Sequence, residues 1–310
     1  MKKYHYLEFN ITEKQENTEI LSILRQEMRL STRKIRALKR HPEGILLDEV
    51  PVTVRETVRS GQKVKVILND TEEGNERVLP APMALSILYE DENLLFVNKP
   101  AGIVCHPSQG HLTDSLASGV AAYFLEQEEL SQVHLIGRLD KDTSGILGIA
   151  KNKVTAERMI ALREQGKVQK EYLALVNGCP PKEEGSIEIG MKEYRNRESG
   201  DGRLRMCRDI SSSGKHAMTH YQVIQRLSGY TLCHVHIETG RTHQIRVHMA
   251  SIQHPLLGDQ IYGPKNGPAG LEGQCLHARV LGFVHPRTGE YMEFEAPLPE
   301  YFQKLLEKLQ

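Results

Sequence analysis

The order of hydrophobic and polar residues predicts a helical N-terminal part followed by short strands. The first ten residues alternate as a half-buried strand does, and apolar residues recur at helical spacing over 18–28. Ser31 is a typical N-cap for a second helix, with Leu30 and Ile35 placed to form a hydrophobic staple, and Pro42 ends that helix. Short strands separated by polar turns follow.

Further along the chain, strand-like segments outnumber helical ones and do not alternate with them regularly. Three helices are predicted, over SLASGVAAYFLEQ, KVTAERMIALREQG and THQIRVHMASIQ. This order favours an α+β fold with a mixed, mostly antiparallel sheet over a doubly wound fold. The sequence therefore predicts a small αα-β domain over 1–70, a linker over 71–85 that contains prolines and acidic residues, and a large α+β domain over 86–310.

Charge is balanced over the whole chain but not along it. Lys plus Arg and Asp plus Glu both number 40, which excludes a uniformly basic nucleic-acid binder. Between residues 20 and 68, however, eleven basic residues face five acidic ones, a local net charge of plus six. A helical stripe there would suit RNA phosphates, and a merely solvated helix face is the alternative. The candidate RNA-binding residues are Arg29, Arg33, Lys34, Arg36, Lys39 and Arg40.

Cysteine usage and hydropathy predict a cytoplasmic protein. The five cysteines are odd in number, far apart and without a C-x-x-C pair, which favours reduced thiols over disulfides or a structural zinc. The opening MKKYHYLEFN is too polar for a signal peptide, and no apolar run is long enough to span a membrane.

The segment GRLDKDTSG, residues 137–145, carries the first candidate chemistry. Asp140 stands among cationic residues at the edge of apolar sequence, as a nucleophilic or basic carboxylate would, and a turn aspartate that caps the backbone is the alternative. DKDT also matches the D-x-D-x-T loop of haloacid-dehalogenase-type phosphatases. That activity needs a later pair of acids, and the chain offers Asp259 but Gly263 where the second might stand.

A second cluster of polar residues spans 238–259. His243 and His248 suggest zinc, but their spacing of five residues is not the four that places two ligands on one helical face. His234 and His236 share a strand face without a third ligand nearby. The sequence therefore predicts no metal site.

Five motifs in order resemble the RluA family of RNA pseudouridine synthases. The basic N-terminal segment resembles the alpha-L RNA-binding motif of a ribosomal protein, and the resemblance covers nearly the whole chain. The motifs are NKPAGIVCHP, GRLDKDTSGILGIAKN, KEYLALVNG, GRTHQIRVHMASIQHPLLGDQIYG and CLHARVLGFVHPRTGEYMEFEAPLP.

The resemblance implies a sheet domain of the pseudouridine synthase type that isomerises a uridine in RNA without cofactor or metal. It makes Asp140 the catalytic carboxylate and pairs it with Arg241 or Arg246, of which Arg246 is favoured. It implies that Tyr172 packs on the uracil and that Arg138 helps to hold the RNA open. The other residues expected around the substrate are Arg241, His106, Thr143, His243 and Gln244.

One departure from the family pattern stands out. Gly137 occupies a position where many members carry histidine. Glycine there allows an unusual backbone conformation or a close approach of another group to the backbone. By the same resemblance, the expected partner is structured RNA, with ribosomal RNA favoured over transfer RNA, and the expected state is a monomer without an obligate protein partner. The remaining alternative is a catalytically silent RNA-binding or ribosome-assembly protein with this fold.

Overall fold

Two helices and a four-stranded sheet form the N-terminal part of the protein. The structure is a computed structural model, and it describes residues 4–68, 78–108, 110–129, 131–196, 205–264, 271 and 273–310. A 3₁₀ turn covers Glu13–Gln15, and a π-helical turn, Ile23–Glu27, continues the first helix. The elements are β1 (Tyr6–Asn10), α1 (Ile20–Ser22), α2 (Thr32–Leu38), β2 (Ile45–Leu47), β3 (Val50–Pro51) and β4 (Lys63–Ile67).

The strands of this part are antiparallel in the order β1-β4-β2-β3, and one side of the sheet packs on the helices. The side chain of Ser31 accepts a hydrogen bond from the amide of Lys34, as its predicted N-cap role requires. Leu30 and Ile35, the predicted staple, are both buried. The αα-β order read from the sequence is therefore present in the structure.

A ten-stranded mixed sheet dominates the rest of the chain. Its main path is β10-β13-β14-β9-β15-β8-β6-β5, with β16 added to β15 and β7 added to β8, and β11 and β12 form a separate hairpin. The strands are β5 (Ile87–Glu90), β6 (Leu94–Lys99), β7 (His134–Ile136), β8 (Ser144–Ala150), β9 (Val168–Asn177), β10 (Glu184–Glu188), β11 (Met191–Asn196), β12 (Arg205–Ile210), β13 (Met218–Leu227), β14 (Tyr230–Ile237), β15 (Leu276–Val284) and β16 (Tyr291–Glu295).

Four helices accompany this sheet, three of them over the predicted segments. They are α3 (Leu116–Glu126), α4 (Lys153–Glu164), α5 (Gln244–Ser251) and α6 (Glu300–Leu309). Among the described strand pairs, only β8 with β15 is parallel. The predicted α+β class with a mostly antiparallel sheet is confirmed.

The predicted linker is only partly described, because residues 69–77 lie outside the described ranges. The two parts have separate hydrophobic clusters, yet they touch through α4. Val154 packs into the N-terminal cluster, and the Arg158 guanidinium donates to the carbonyls of Met28 and Pro286, at 3.2 and 3.3 Å. The exact division of the chain at 71–85 stays a prediction.

The basic stripe expected on the second helix is shorter than the sequence suggested. Helix α2 ends at Leu38, so Arg40 lies beyond it, and Arg29 precedes it with a φ of 53°. Lys34 was a candidate RNA contact, but its side chain is buried and its ammonium donates to the carbonyl of Leu68 at 2.8 Å. That part of the RNA-binding prediction is wrong, because Lys34 ties α2 to the end of the sheet.

Lys34→Ala should lower the free energy of unfolding by about 1–3 kcal/mol, because it leaves a buried carbonyl without its donor. Arg36→Ala, on the same helix but exposed, should change it by less than about 0.5 kcal/mol. Denaturant unfolding followed by circular dichroism measures both. Equal losses for the two variants would contradict the structural role of Lys34.

Candidate active site

The centre of the large sheet brings three motifs side by side. Ala278 of β15 pairs with Gly145 of β8 on one side and with Tyr172 of β9 on the other, so the three residues form one row. Gly145 has a φ of +113°, and a Cβ there would lie 2.2 Å from the Ala278 carbonyl oxygen. Glycine is therefore required for β8 to approach β15, and the loop that carries Asp140 ends next to this row.

Asp140 contacts one of the two arginines that the sequence left open. The Nη1 atom of Arg246 lies 3.1 Å from Oδ2 of Asp140. The Asp140 side chain is 16% exposed, and Arg246 is 4% exposed as a residue. The guanidinium of Arg241 is directed elsewhere, with its Nε donating to the carbonyl of His216 at 3.0 Å. The partner of Asp140 is therefore the buried arginine of helix α5.

A second carboxylate fixes the other side of Arg246. Its Nε and Nη2 donate to the two oxygens of Asp259 at 2.7 and 2.8 Å, as a fork. Asp259, 2% exposed, also accepts from the amides of Ile261 and Tyr262. Burial opposes the charge on both groups, but their pairing outweighs it. The pairing lowers the pKa of Asp259 and, together with the charge of Asp140, raises the pKa of Arg246.

His243 stands beside the same pair at the start of α5. Its Nε2 lies 3.9 Å from Oδ2 of Asp140, and its Nδ1 lies 2.8 Å from the hydroxyl of Tyr262. The ring of Tyr262 also lies against Arg246, whose Cζ is 5.2 Å from the ring centroid. Burial lowers the pKa of the His243 imidazole, while Asp140 acts in the opposite sense. Both neighbours of Asp140 thus contact the same tyrosine.

The buried lysine of the NKPAG motif, Lys99, hydrogen-bonds to the backbone of the Asp140 loop. The Lys99 ammonium is fully buried and donates to the carbonyls of Pro100, Ile103 and Lys141 at 2.8, 2.8 and 2.9 Å. Burial lowers the pKa of Lys99 to about 8. Because Lys141 directly follows Asp140, this ammonium connects the two loops.

Cys105 makes a second connection between the same two loops. Its Sγ donates to the carbonyl of Leu139 at 3.1 Å and accepts from the amide of that residue at 3.3 Å. Both groups are buried. The backbone next to Asp140 is therefore held on both its donor and its acceptor side.

Tyr172 and Lys170 of β9 line the same cavity as Asp140. Tyr172 is buried, and burial together with the charge of Asp140 raises its pKa well above the usual value. Burial and the nearby Arg163 lower the pKa of Lys170 to about 8. Gly137 has a φ of +89°, and a Cβ there would lie 3.1 Å from the Lys170 ammonium. Glycine at 137 thus provides both the conformation and the room for this lysine.

Two cavities of about 810 Å³ each meet at Asp140. Both are lined by His106, Arg138, His243 and Arg246 as well as by Asp140. Arg138 and His106 are exposed at the surface of this cleft, and Arg241 lines the cavity that also reaches Tyr172. The cleft is large enough for a nucleotide and its neighbours, and it presents several cations.

Comparisons with known proteins agree with this geometry. A sequence profile described as RNA pseudouridylate synthase matches residues 93–251, which contain Asp140, Tyr172 and Arg246. The chain is 42% identical over 255 residues to the uncharacterized RNA pseudouridine synthase YlyB of Bacillus subtilis, covering 81% of each chain. The chain belongs to the RNA pseudouridine synthase family. As in the rest of the family, its reaction is the isomerisation of uridine to pseudouridine in RNA.

Two further relatives support the assignment to pseudouridine synthases. The ribosomal large subunit pseudouridine synthase D of Neisseria meningitidis is 36% identical over 278 residues, 86% of this chain and 72% of that one. The structure of human RNA pseudouridylate synthase domain containing 4 superposes with a TM-score of 0.58 at 29% identity, covering 72% of this chain and 92% of that one. The predicted family and type of sheet domain are confirmed.

Two residues expected at the substrate of this synthase are buried in its framework. The hydroxyl of Thr143 accepts from Gln274 at 3.0 Å, and the Thr143 amide closes the turn onto the carbonyl of Asp140. The side-chain amide of Gln244 accepts hydrogen bonds from the Thr239 hydroxyl and the Arg241 amide. It donates to the Met218 carbonyl and the Thr219 hydroxyl. Both residues also line the cavity that reaches Tyr172, so their contact with the substrate stays a prediction.

Sequence reasoning missed several residues of this pseudouridine synthase site. Asp259 was considered only as a metal ligand for the phosphatase alternative, whereas its oxygens bond Arg246. Lys99, Cys105, Lys170 and Tyr262 were not singled out, although all four lie in the quoted motifs. Their position inside those motifs was the available signal. Over the described part of the chain, no group of three or more His, Cys, Asp and Glu side chains is arranged to hold a metal ion.

No helix within the described ranges is long and apolar enough to cross a bilayer.

Asp259→Ala should lower the free energy of unfolding by roughly 3–5 kcal/mol, because it leaves a buried guanidinium without its main partner. The matched control is Glu183→Ala, which removes the carboxylate of the exposed Arg226 pair and should cost far less, because exposed ion pairs contribute little to stability. Urea denaturation of the two variants provides the comparison. If both pairs cost the same, the Arg246 fork is not the stabilising contact described above.

Proposed function

We propose that Asp140 is the carboxylate that acts on the target nucleotide, with Oδ1 as the reacting oxygen. The observation that carries the proposal is the Arg246 contact at 3.1 Å, which falls on Oδ2. His243 approaches that oxygen as well. Among the described residues no donor is recorded for Oδ1, so one oxygen is held while the other is available to the cleft. This division suits a carboxylate that must act in a fixed orientation.

The chemistry requires an anion near C1′ of the uridine. Asp140 either adds to C1′ or removes a proton beside it while the N1–C1′ bond breaks. The freed uracil turns and C5 forms a bond to C1′, which releases the carboxylate from C1′ or returns the abstracted proton to the sugar. The proton lost from C5 is balanced by the one that N1 gains. No oxidant, reductant or co-substrate enters this balance. A protein needs only to hold the base, the sugar and the anion in place while the base turns.

Tyr172 and Arg138 are proposed to hold the substrate. The raised pKa of Tyr172 keeps its phenol neutral at physiological pH, so the ring offers a flat, uncharged surface for the uracil. Arg138 is exposed at the mouth of the cleft two residues before Asp140, where it can occupy the space left by a base that leaves the stack. An unpaired uridine is the favoured target, because flipping it costs least.

Asp140→Asn should reduce pseudouridine formation by about 10²–10⁴-fold, because the amide cannot act as the anion. Asp142→Asn, two positions away in the same turn, should keep activity within about tenfold, since we assign that residue to the turn and not to the reaction. Tritium release from RNA labelled at C5 of uridine measures both rates. Equal losses would contradict the assignment to Asp140.

We propose ribosomal RNA as the substrate. The support is that relatives such as the Neisseria meningitidis protein are named as synthases of the large ribosomal subunit. Pseudouridine mapping of total RNA from wild-type and deletion strains tests the proposal. We expect a ribosomal site to be lost on deletion and not to be restored by Asp140→Asn. An unchanged map together with no turnover in vitro would instead support a silent RNA-binding protein.

The N-terminal part is proposed to bind the RNA backbone. Its support is the local excess of six positive charges over residues 20–68 and the exposure of most of the basic candidates. Phosphate contacts of this kind give affinity without sequence specificity. The residues proposed for it are Arg29, Arg33, Arg36, Lys39 and Arg40.

The double variant Arg36→Gln, Lys39→Gln should weaken RNA binding and flatten its salt dependence by roughly one unit of slope per lost phosphate contact. Turnover at saturating RNA should stay unchanged, because these residues are not among those that line the cleft. Filter binding over a series of salt concentrations measures the slope. An unchanged slope would mean that these two side chains do not meet phosphate.

A further inference from the structure

Tyr262 connects three groups at the active site. Its hydroxyl accepts a hydrogen bond from the amide of Arg208 at 2.9 Å and lies 2.8 Å from Nδ1 of His243. Its ring meets the His243 ring edge-on, with centroids 5.6 Å apart, and lies against the Arg246 guanidinium. His243 and Arg246 line the substrate cleft, whereas Tyr262 lies behind them. Tyr262 therefore acts on Asp140 only through its two neighbours.

The position of the His243 proton can be derived from its surroundings. Burial lowers the pKa of His243, so the ring carries one proton at neutral pH, on one of its two nitrogens. Nε2 faces the Asp140 carboxylate at 3.9 Å, and a negative charge favours the tautomer with the proton on the nitrogen that faces it. Nδ1 is then the acceptor, and the Tyr262 O–H must be the donor to it.

The backbone conformation of His243 also indicates that this residue is held in one position by its surroundings. Its φ and ψ are 59° and 18°, in the left-handed region. Such a conformation is uncommon for a residue other than glycine and persists only where the surroundings support it. The carbonyl of His243 accepts the first hydrogen bond of α5, from Val247. The ring is thus fixed from the backbone on one side and from Tyr262 on the other.

We propose that Tyr262 is a positioning residue that holds His243 as the Nε2–H tautomer, so that an N–H joins Arg246 in directing Oδ2 of Asp140. The inference rests on the proposed role of Asp140 and extends it. The order of donors is Arg208 N–H to Tyr262, Tyr262 O–H to His243 Nδ1, and His243 Nε2–H toward the carboxylate. Hairpin β11–β12, which contains Arg208, is thereby connected to the reacting group.

The direct test is the tautomer of His243 in the free, full-length protein. With histidine labelled by the heavy nitrogen isotope, long-range proton–nitrogen correlation spectra distinguish the two tautomers, and His243→Gln identifies the signals. We expect the Nε2–H form at neutral pH in the wild type and a gain of the Nδ1–H form in Tyr262→Phe. A wild-type His243 in the Nδ1–H or doubly protonated form overturns the proposal, whether or not Asp140 is the reacting group.

Kinetics provides the second test. Tyr262→Phe keeps the ring against Arg246, so kcat should fall by about tenfold, the equivalent of one lost buried hydrogen bond, while KM for RNA stays within about twofold. An unchanged kcat overturns the proposal. Tyr123→Phe is the control. It removes a hydroxyl bonded to Glu90 at 2.6 Å, outside the cleft, and should leave both the spectrum and kcat unchanged.

Substitution of His243 separates positioning from proton transfer. Glutamine ends in one acceptor and one donor, so His243→Gln can accept from Tyr262 and donate toward Asp140, whereas His243→Ala can do neither. We expect the glutamine variant to keep several-fold more of kcat than the alanine variant. If the two variants are equally impaired, an N–H directed at Asp140 is not what His243 contributes.

Discussion

The active site depends on one buried guanidinium shared by two carboxylates. Arg246 uses two of its donors on Asp259 and a third on Asp140. Its charge is stable in the interior only because Asp259 pairs with it as a fork. Asp140 can then remain partly exposed without being the sole partner of a buried cation. One carboxylate holds the arginine in place, and the other, Asp140, is the one that we propose for the chemistry.

The fold explains how distant motifs reach this arginine. Gly145 of β8, Ala278 of β15 and Tyr172 of β9 pair side by side in the sheet. This pairing fixes the distance between the Asp140 loop and Tyr172. Helix α5 begins shortly after β14, a neighbour of β9, and so presents Arg246 at the same place. The site is therefore positioned by central elements of the sheet and not by long surface loops, which suits a reaction that depends on orientation.

Sequence patterns predicted most of the fold, and the quoted motifs contain the residues that the structure brings together around Asp140. Helices α3 and α4 were predictable because their apolar residues recur at the helical period, and Ser31 because its cap is a local feature. The burial of Lys34, Thr143 and Gln244 was not foreseen, because polar residue type does not reveal burial, which depends on groups far away in sequence such as Leu68 and Gln274. Asp259 was missed as the partner of Arg246 for the same reason.

Lys99 places a positive charge between two loops of the active site. Its ammonium is surrounded by three backbone carbonyls from two loops, an arrangement otherwise typical of a bound monovalent cation. Here the cation is covalently part of the chain, so it cannot exchange with the ions of the solvent. This link between the two loops therefore does not depend on which cations the cell contains. Changes of salt can therefore alter how tightly the protein holds RNA without displacing the cation that joins these two loops.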